Sequence, residues 1–287
     1  MAPCELPEWP RIILTIFTVL SFLPQLYKVS SSRDSSGISP YYVLSNVLLA
    51  THHFSIYFAL CVNEPSGGGV VVHNPPNTAD LLNLTHLFVA WLLFLLLFVL
   101  TLLYLSTDDL PQRGIVALIY IGFLMISVIP QFYEAIGGFD DLAKSELEWR
   151  LLFFVAGHLL IVNPVLTIVA LVSAGLQARR ILQGPIHSSL SVPGLAGQAA
   201  VFAVLAVSWV WRVVYGGSPR FPADNAVLDW YFKFGWPVVG IAVFAIVQFV
   251  LLWVVIQRQR SVTVPFEERE TEPLLGGSLR ECHVEVA

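Results

Sequence analysis

Several polar side chains stand inside long apolar runs, where a hydrogen-bonding or ionisable group is a functional candidate by default. In "LSNVLLATHHFSIYF" the residues Asn46, His53 and Tyr57 follow at intervals of seven and four, which puts them on one face of a helix. An amide and a phenol supply donors and acceptors for a small polar solute, and imidazole titrates near neutrality. His52, His53, His86 and His158 therefore suit the carriage of protons, although a single histidine in such a run more often serves packing. Asn46 suits either the lining of a central cavity or a hydrogen bond between helices. No cluster has metal-ligand spacing, no glycine loop is built to cradle phosphate, and no nucleophile has an evident base. Neither an enzyme nor a cofactor or metal is expected. "PSGGGV", Pro65 to Val70, reads as a flexible loop outside the membrane. Cys4, Cys61 and Cys282 form no CxxC and support neither a disulfide framework nor zinc.

The elements that must position these groups follow from composition. Hydrophobic residues make up 56% of the chain and charged residues only 12%, against about 25% charged in a soluble domain. The apolar runs are long enough to cross about 30 Å of hydrocarbon, which makes this an all-α integral membrane protein. Seven spans are expected over 10–29, 40–62, 81–106, 114–134, 151–182, 192–216 and 229–256. The fifth is long for one crossing, and Pro164 near its middle predicts a kink. "MAPCELPEWPR" has no basic segment before the first run, so that run is read as a retained span. The net charge of −5 comes with acidic residues in loops and tail, and no basic stripe suggests nucleic acid.

Lys28, Arg33, Arg113, Arg179, Arg180, Arg258 and Arg260 share one side of the expected topology; Arg11, Lys144, Arg150 and Arg220 share the other. This bias puts the C-terminus in the cytosol and residues 1–9 in a lumen or outside. The sequon Asn83-Leu84-Thr85 falls on the luminal side, hard against the third span. The polar segment 257–287 reads as a disordered cytosolic tail. Within it Glu270 precedes Leu274-Leu275 at the spacing of an acidic dileucine signal, which a sorting adaptor would bind.

An internal repeat organises the runs. An offset of 152 lays Thr15 on Thr167, Ser21 on Ser173, Gln25 on Gln177, Lys28 on Arg180, Ser36 on Ser188 and Ser39 on Ser191. It also lays Asn46 on Gln198 and Tyr57 on Trp209, which extends the candidate substrate-binding set to Asn46, His53, Tyr57, Gln198 and Trp209. Residues 10–106 then form one triple-helix unit and 151–256 a second, degenerate one, with 114–134 as a linker helix. The extra crossing gives both units the same direction through the membrane, two parallel bundles in a 3+1+3 layout.

The first unit contains "FLPQLYKVSSSRDSSGIS". Pro24 lacks an N–H, so the carbonyl of Leu20 loses its helical partner, and Gln25 beside it can satisfy such a group or contact a solute. The pair is a weak point at which a helix bends with little added cost, or else a static kink. This stretch resembles the PQ-loop motif of the PQ-loop family, in which Pro24, Gln25, Lys28, Ser36, Gly37 and Ser39 match. That family includes cystinosin-type lysosomal amino-acid exporters and is related to the SWEET sugar transporters and the KDEL receptors. "GLQARRILQGPIHSSLS" keeps Gln177, Arg180, Ser188 and Ser191, but Leu176 stands in the place of proline. Gly175 offers weaker compliance there. A third pair, Pro130-Gln131, lies in the linker helix with no serine loop after it and reads as coincidence or a local kink.

The resemblance implies a transporter of a small polar solute, an amino acid rather than a sugar, working by alternating access in a vacuolar, lysosomal or other endomembrane. Cystinosin-like members use a buried aspartate for proton coupling, and no span here has an aspartate at its middle. Histidines or facilitated diffusion are then the open alternatives. The same architecture also serves a receptor or adaptor that does not transport, or an endomembrane scaffold.

Overall fold

The computed structural model describes residues 6–63, 71–73, 75–105, 110–137, 144–183, 190–212, 230–231 and 235–270, the last nine of these by backbone alone. The glycine loop at 65–70, Ser188, Arg220, Leu274 and Leu275 lie outside the described residues. Among the described residues all regular structure is helical. The helices are α1 Glu8–Ser32, α2 Pro40–Asn63, α3 Thr78–Leu103, α4 Leu110–Ser127, α5 Ile129–Ala135, α6 Lys144–Gly157, α7 Asn163–Gln183, α8 Val192–Trp209 and α9 Trp236–Glu270. Taken with their breaks, they make seven stretches long and apolar enough to cross a membrane.

The boundaries carry the physics. Pro24 does not interrupt α1, which runs on for two more turns and closes at Arg33 in the left-handed region, φ 49°. The next residues are pinned: Asp34 accepts the backbone N–H and the hydroxyl of Ser36, each at 2.8 Å. Ser35 donates its hydroxyl to the carbonyls of Thr101 and Tyr104 at the end of α3. At its other end α3 starts with a capping box in which Asn77 and Asp80 satisfy each other's backbone N–H groups.

The expected kink near Pro164 is present as a π-helical turn, His158–Val162, between α6 and α7. Proline at the second position of α7 removes one donor, and the wider turn before it absorbs the mismatch. The linker is broken as well: α4 ends at Ser127 and α5 begins one residue before Pro130. Two boundaries differ from expectation. The sixth span stops at Trp209 instead of 216, because Val210, Trp211 and Arg212 each bond three residues back and tighten the chain into a turn. The last helix continues to Glu270, so the segment expected to be disordered from 257 begins as helix. Gln257, Arg258, Gln259 and Arg260 are strong helix formers that extend the apolar span.

The packing pattern positions the site. α3 packs against both α1 and α2, and α9 packs against both α7 and α8. α1 and α2 meet the other set instead: α1 lies on α8, and α2 lies on α7. α4 and α5 cover α2. Between them Phe22, Phe94, Phe202 and Phe244 interlock, with ring centroids 4.6–6.1 Å apart, mostly edge to face. α2 is the most enclosed of the seven spans, with 83% of its apolar window buried against 28–44% for the others. A helix so enclosed is the one whose polar groups need internal partners, and it carries Asn46, His52 and His53.

Candidate functional site: a cross-tied pocket between the repeats

The two motif glutamines reach across the molecule, each to the other's loop. Gln25 Oε1 accepts the backbone N–H of Ser191 at 2.7 Å. Gln177 Oε1 accepts the backbone N–H of Ser39 at 2.7 Å, and its Nε2 donates to the carbonyl of Gly37 at 2.9 Å. The cations follow the same exchange: Lys28 Nζ donates to the carbonyl of Leu190 and Arg180 Nε to that of Ser36, each at 2.8 Å. Ser39 and Ser191 begin α2 and α8, whose first N–H groups lack intrahelical acceptors. Each glutamine thus holds the start of the helix that packs on its own. Both glutamines are buried, which makes their bonds expensive to lose.

One turn deeper the exchange becomes helix contact. Ser45 on α2 meets Ser173 on α7, hydroxyl to hydroxyl at 2.6 Å. Their mates in the repeat are Gly197 on α8 and Ser21 on α1, and a Cβ placed on Gly197 would sit 3.5 Å from that of Ser21. Gly194 approaches closer still, 3.3 Å from the Gln25 Cβ. The offset of 152 is therefore repeated in the glutamine–serine ties and in the Ser45–Ser173 and Gly197–Ser21 contacts, whereas the cations depart from it: Lys28 bonds Leu190, and Arg180 bonds Ser36 instead of Ile38.

Two small cavities lie beyond these ties. One, of about 20 Å³, is lined by Gln25, Tyr42, Asn46, Gln198 and Gln248 among apolar neighbours. The other, of about 30 Å³, is lined by Asn46, His53 and His86 with Phe94, Gly240 and Phe244. Each has room for about one water. Asn46, Phe94 and Phe244 border both, so the aromatic cluster stands between two small and mostly apolar cavities.

Of the expected substrate-binding residues, Asn46 and Gln198 line the same cavity and His53 the neighbouring one. Tyr57 and Trp209 line neither; they pack on each other, ring centroids 5.9 Å apart and edge to face. Gly175 and Leu176 lie on the exposed face of an unbroken α7, with open space around Gly175. Gln248 and Tyr42 carry no repeat signal, but a lone glutamine in "AIVQFVLLW" is a polar group in an apolar run and marks the site by that alone.

The far end is tied by charge. Arg212 falls near the end of the expected sixth span and so reads as interfacial, but it is buried: it donates to Asn83 Oδ1 at 3.3 Å and to Ser208 Oγ at 3.1 Å, and its guanidinium lies 5.4 Å from the Trp209 ring centre. Asn83 also donates to the Tyr57 hydroxyl at 3.1 Å. Arg11 is equally buried and clamps the carbonyls of Leu6 and Ala79, while the Leu6 N–H bonds the Trp211 carbonyl at 2.9 Å. The end beyond Trp209 thus joins α1, α3 and α8.

The remaining histidines collect around α2. His52 stacks on His158 of the π-turn at 5.6 Å and lies 5.6 Å from His53. His158 Nδ1 donates to the Phe154 carbonyl at 3.0 Å, so its Nε2 accepts from the Ser127 hydroxyl at 3.2 Å. Asn163 at the start of α7 donates to the Tyr231 hydroxyl at 2.7 Å.

The pattern of the PQ loop repeat family matches residues 10–64, which hold α1, its loop and α2. Residues 10–64 are a PQ-loop repeat. The chain is thus a multi-pass membrane protein with a PQ-loop repeat at its head. Neither the curated proteins nor the solved structures give a match. Within the PQ-loop repeat the motif residues Gln25 and Lys28 point out of the repeat, and Ser191 and Leu190 at the start of α8 receive them.

Proposed function

We propose that this chain is a transporter that moves a small polar solute, an amino acid rather than a sugar, by alternating access. The observation that carries the reading is the reciprocal tie of Gln25 to Ser191 and Gln177 to Ser39 at one end of a polar pocket. Arg212 with Asn83 closes the other end. A pocket closed at both ends is what an occluded state requires, and its present volume means that solute enters only when the bundles part.

In this reading residues 10–106 and 151–256 are parallel bundles joined by the linker helix, and they rock about Pro24 and Gln25. Asn46, Gln198 and His53 contact the solute, and Tyr57 with Trp209 lines the path when the far end opens. Gly175 and Gln177 supply a stiffer second hinge, since Leu176 replaces proline. The protein works in a vacuolar, lysosomal or other endomembrane with its C-terminus in the cytosol, and Glu270 with Leu274-Leu275 serves a sorting adaptor. The pocket supports the choice of a polar solute; the family resemblance supports the choice of an amino acid.

The test is counterflow in proteoliposomes, with labelled amino acids and glucose presented one at a time. Saturable counterflow of an amino acid is the expected result. If an amino acid raises the thermal midpoint of the purified protein yet none shows counterflow, the chain is a receptor of the same architecture and the transport reading falls.

A further inference from the structure

α1 and α8 touch at one end, are tied at the other, and stand apart between. Near Gln25 they are close: a Cβ on Gly194 would lie 3.3 Å from that of Gln25, and one on Gly197 3.5 Å from that of Ser21. Further along they meet again, where the Leu6 N–H bonds the Trp211 carbonyl at 2.9 Å. Between the two contacts lies a groove of about 580 Å³, walled by Trp9, Ile13 and Phe17 of α1 and by Ala200, Val204 and Val207 of α8. The short side chains of the α8 wall leave the space that the larger ones of α1 do not fill.

The dimensions and chemistry of the groove select its occupant. Both helices are membrane-crossing stretches, and Phe17, Val204 and Val207 are each at least half exposed, so the groove opens sideways onto hydrocarbon. Trp9 to Phe17 covers about 12 Å of helix and Ala200 to Trp211 about 16 Å, at about 1.5 Å per residue. That is roughly half of the 30 Å hydrocarbon thickness, the depth of one leaflet. Trp9 and Trp211 stand at one end, where tryptophans meet the membrane interface. Spread over this length, the volume gives a section of roughly 40 Å², about half of what a helix about 10 Å across needs. A helix from a second copy therefore does not fit. Apart from the indoles at the mouth, the one polar side chain in the lining is Ser208. Its hydroxyl is already used, donating to the Leu205 carbonyl at 2.7 Å and accepting from Arg212 Nε at 3.1 Å. Below the mouth the walls offer nothing to a polar ligand, and a hydrocarbon chain needs nothing. The α1 wall is uneven, with the rings of Trp9 and Phe17 on either side of Ile13, a contour that a flexible chain follows better than a rigid ring system.

We propose that this groove is a lipid site, filled by one acyl chain of a phospholipid from the leaflet at the Trp9 and Trp211 end. Within hydrocarbon a chain gains nothing by leaving water, so dispersion contacts with the two walls hold it. An empty groove would forfeit those contacts along both helices. The seated chain sets the separation of α1 and α8 at the end that Leu6–Trp211 and Arg212–Asn83 close. It is a wedge between two helices that Gln25 and Ser191 join at their other end.

Photo-crosslinking separates a seated chain from the lipid that coats any membrane protein. The purified full chain is placed in phosphatidylcholine vesicles in which a small fraction of the lipid carries a diazirine midway down one acyl chain. After irradiation the labelled residues are mapped. Coating lipid labels by exposure, so Leu118, Ile126 and Phe153, each more exposed than Trp9, Phe17 or Val204, would lead. A seated chain instead labels Leu14 and Val201, which are only half-buried in the groove, several-fold above those three. Val204→Phe fills the groove from the α8 wall and should abolish that excess while labelling of α4 stays the same. Wild-type labelling that follows exposure overturns the proposal without any variant having to fold. An excess that survives in a Val204→Phe protein eluting as the wild type does also overturns it. So does a diazirine sterol that labels Leu14 and Val201 in preference to the phospholipid, or a cross-link from either residue to a second copy of the chain.

Discussion

Gln25 and Ser191 are 166 residues apart, and the side-chain carbonyl of the first accepts the backbone N–H of the second at 2.7 Å. The same bond joins Gln177 to Ser39. Each glutamine thereby holds the residue that caps a helix far away in sequence, Ser191 before α8 and Ser39 before α2. This places both glutamines at contacts between helices, Gln25 of α1 at the start of α8 and Gln177 of α7 at the start of α2.

Gln177→Ala should be the more damaging of two neighbouring truncations. It strands the Ser39 N–H and the Gly37 carbonyl in a buried place, at about 1–3 kcal/mol for each stranded group. Leu176→Ala removes a side chain that is 42% exposed on the outer face. Thermal unfolding of the two purified variants in one detergent compares them directly. Equal midpoints would mean that the cross-tie contributes nothing to the closed state.

Pro24→Ala addresses the hinge. Because α1 passes through Pro24 unbroken, alanine there restores a backbone donor without moving the helix ends, and the protein should be made and fold as before. Counterflow should fall about tenfold if bending at this point limits the cycle, a loss of about 1.4 kcal/mol from transition-state stability. Unchanged protein level together with unchanged uptake rules the hinge out.

Hydropathy alone locates the seven spans to within a few residues in most cases, because crossing hydrocarbon is a requirement of length and apolarity that linear sequence records directly. The equivalence of Gln25 and Gln177 is legible for the same reason, since an offset is a linear property. What periodicity cannot carry is which helix a residue meets. That α3 lies against both α1 and α2, and so brings His86 to His53, is a consequence of packing order. Arg212 reads as interfacial because it falls at a span's end; only the tightened turn at Val210–Arg212 folds it back onto Asn83. The π-turn is half legible: Pro164 announces a disturbance, but nothing in the sequence says that His158 will use the widened turn to reach Ser127.

Two glycines separate close approach from mere smallness. Gly197→Ala would place its Cβ at ordinary contact distance from Ser21 and should shift the thermal midpoint little. Gly240→Ala would drive a methyl to within 2.5 Å of the His53 ring, which has Trp236 at 5.7 Å and His52 at 5.6 Å around it. The ring must leave its position, at a cost of about 1–3 kcal/mol for overpacking. The Gly240 variant should lose uptake well before the Gly197 variant does, and similar uptake in both would show that the His53 position does not matter.

Asn83 supplies the last prediction. Its sequon is chemically complete, yet the side chain is fully buried, donates to Tyr57 and accepts from Arg212. A glycan cannot be attached to a nitrogen enclosed in this way, so the folded protein made in a glycosylating cell should keep the same electrophoretic mobility after glycosidase treatment. The residue matters for another reason. Asn83→Leu would remove the acceptor for Arg212 and leave a buried guanidinium short of one partner, which costs about 3–5 kcal/mol when the broken contact is a buried ion pair and less for an amide acceptor. Asn83→Asp keeps the acceptor and adds a counter-charge, so it should fold at least as well as the leucine variant while holding the far end of the pocket closed more tightly. Uptake by the aspartate variant should then be slower than wild type at equal protein level, and faster uptake would show that Arg212 and Asn83 are no gate.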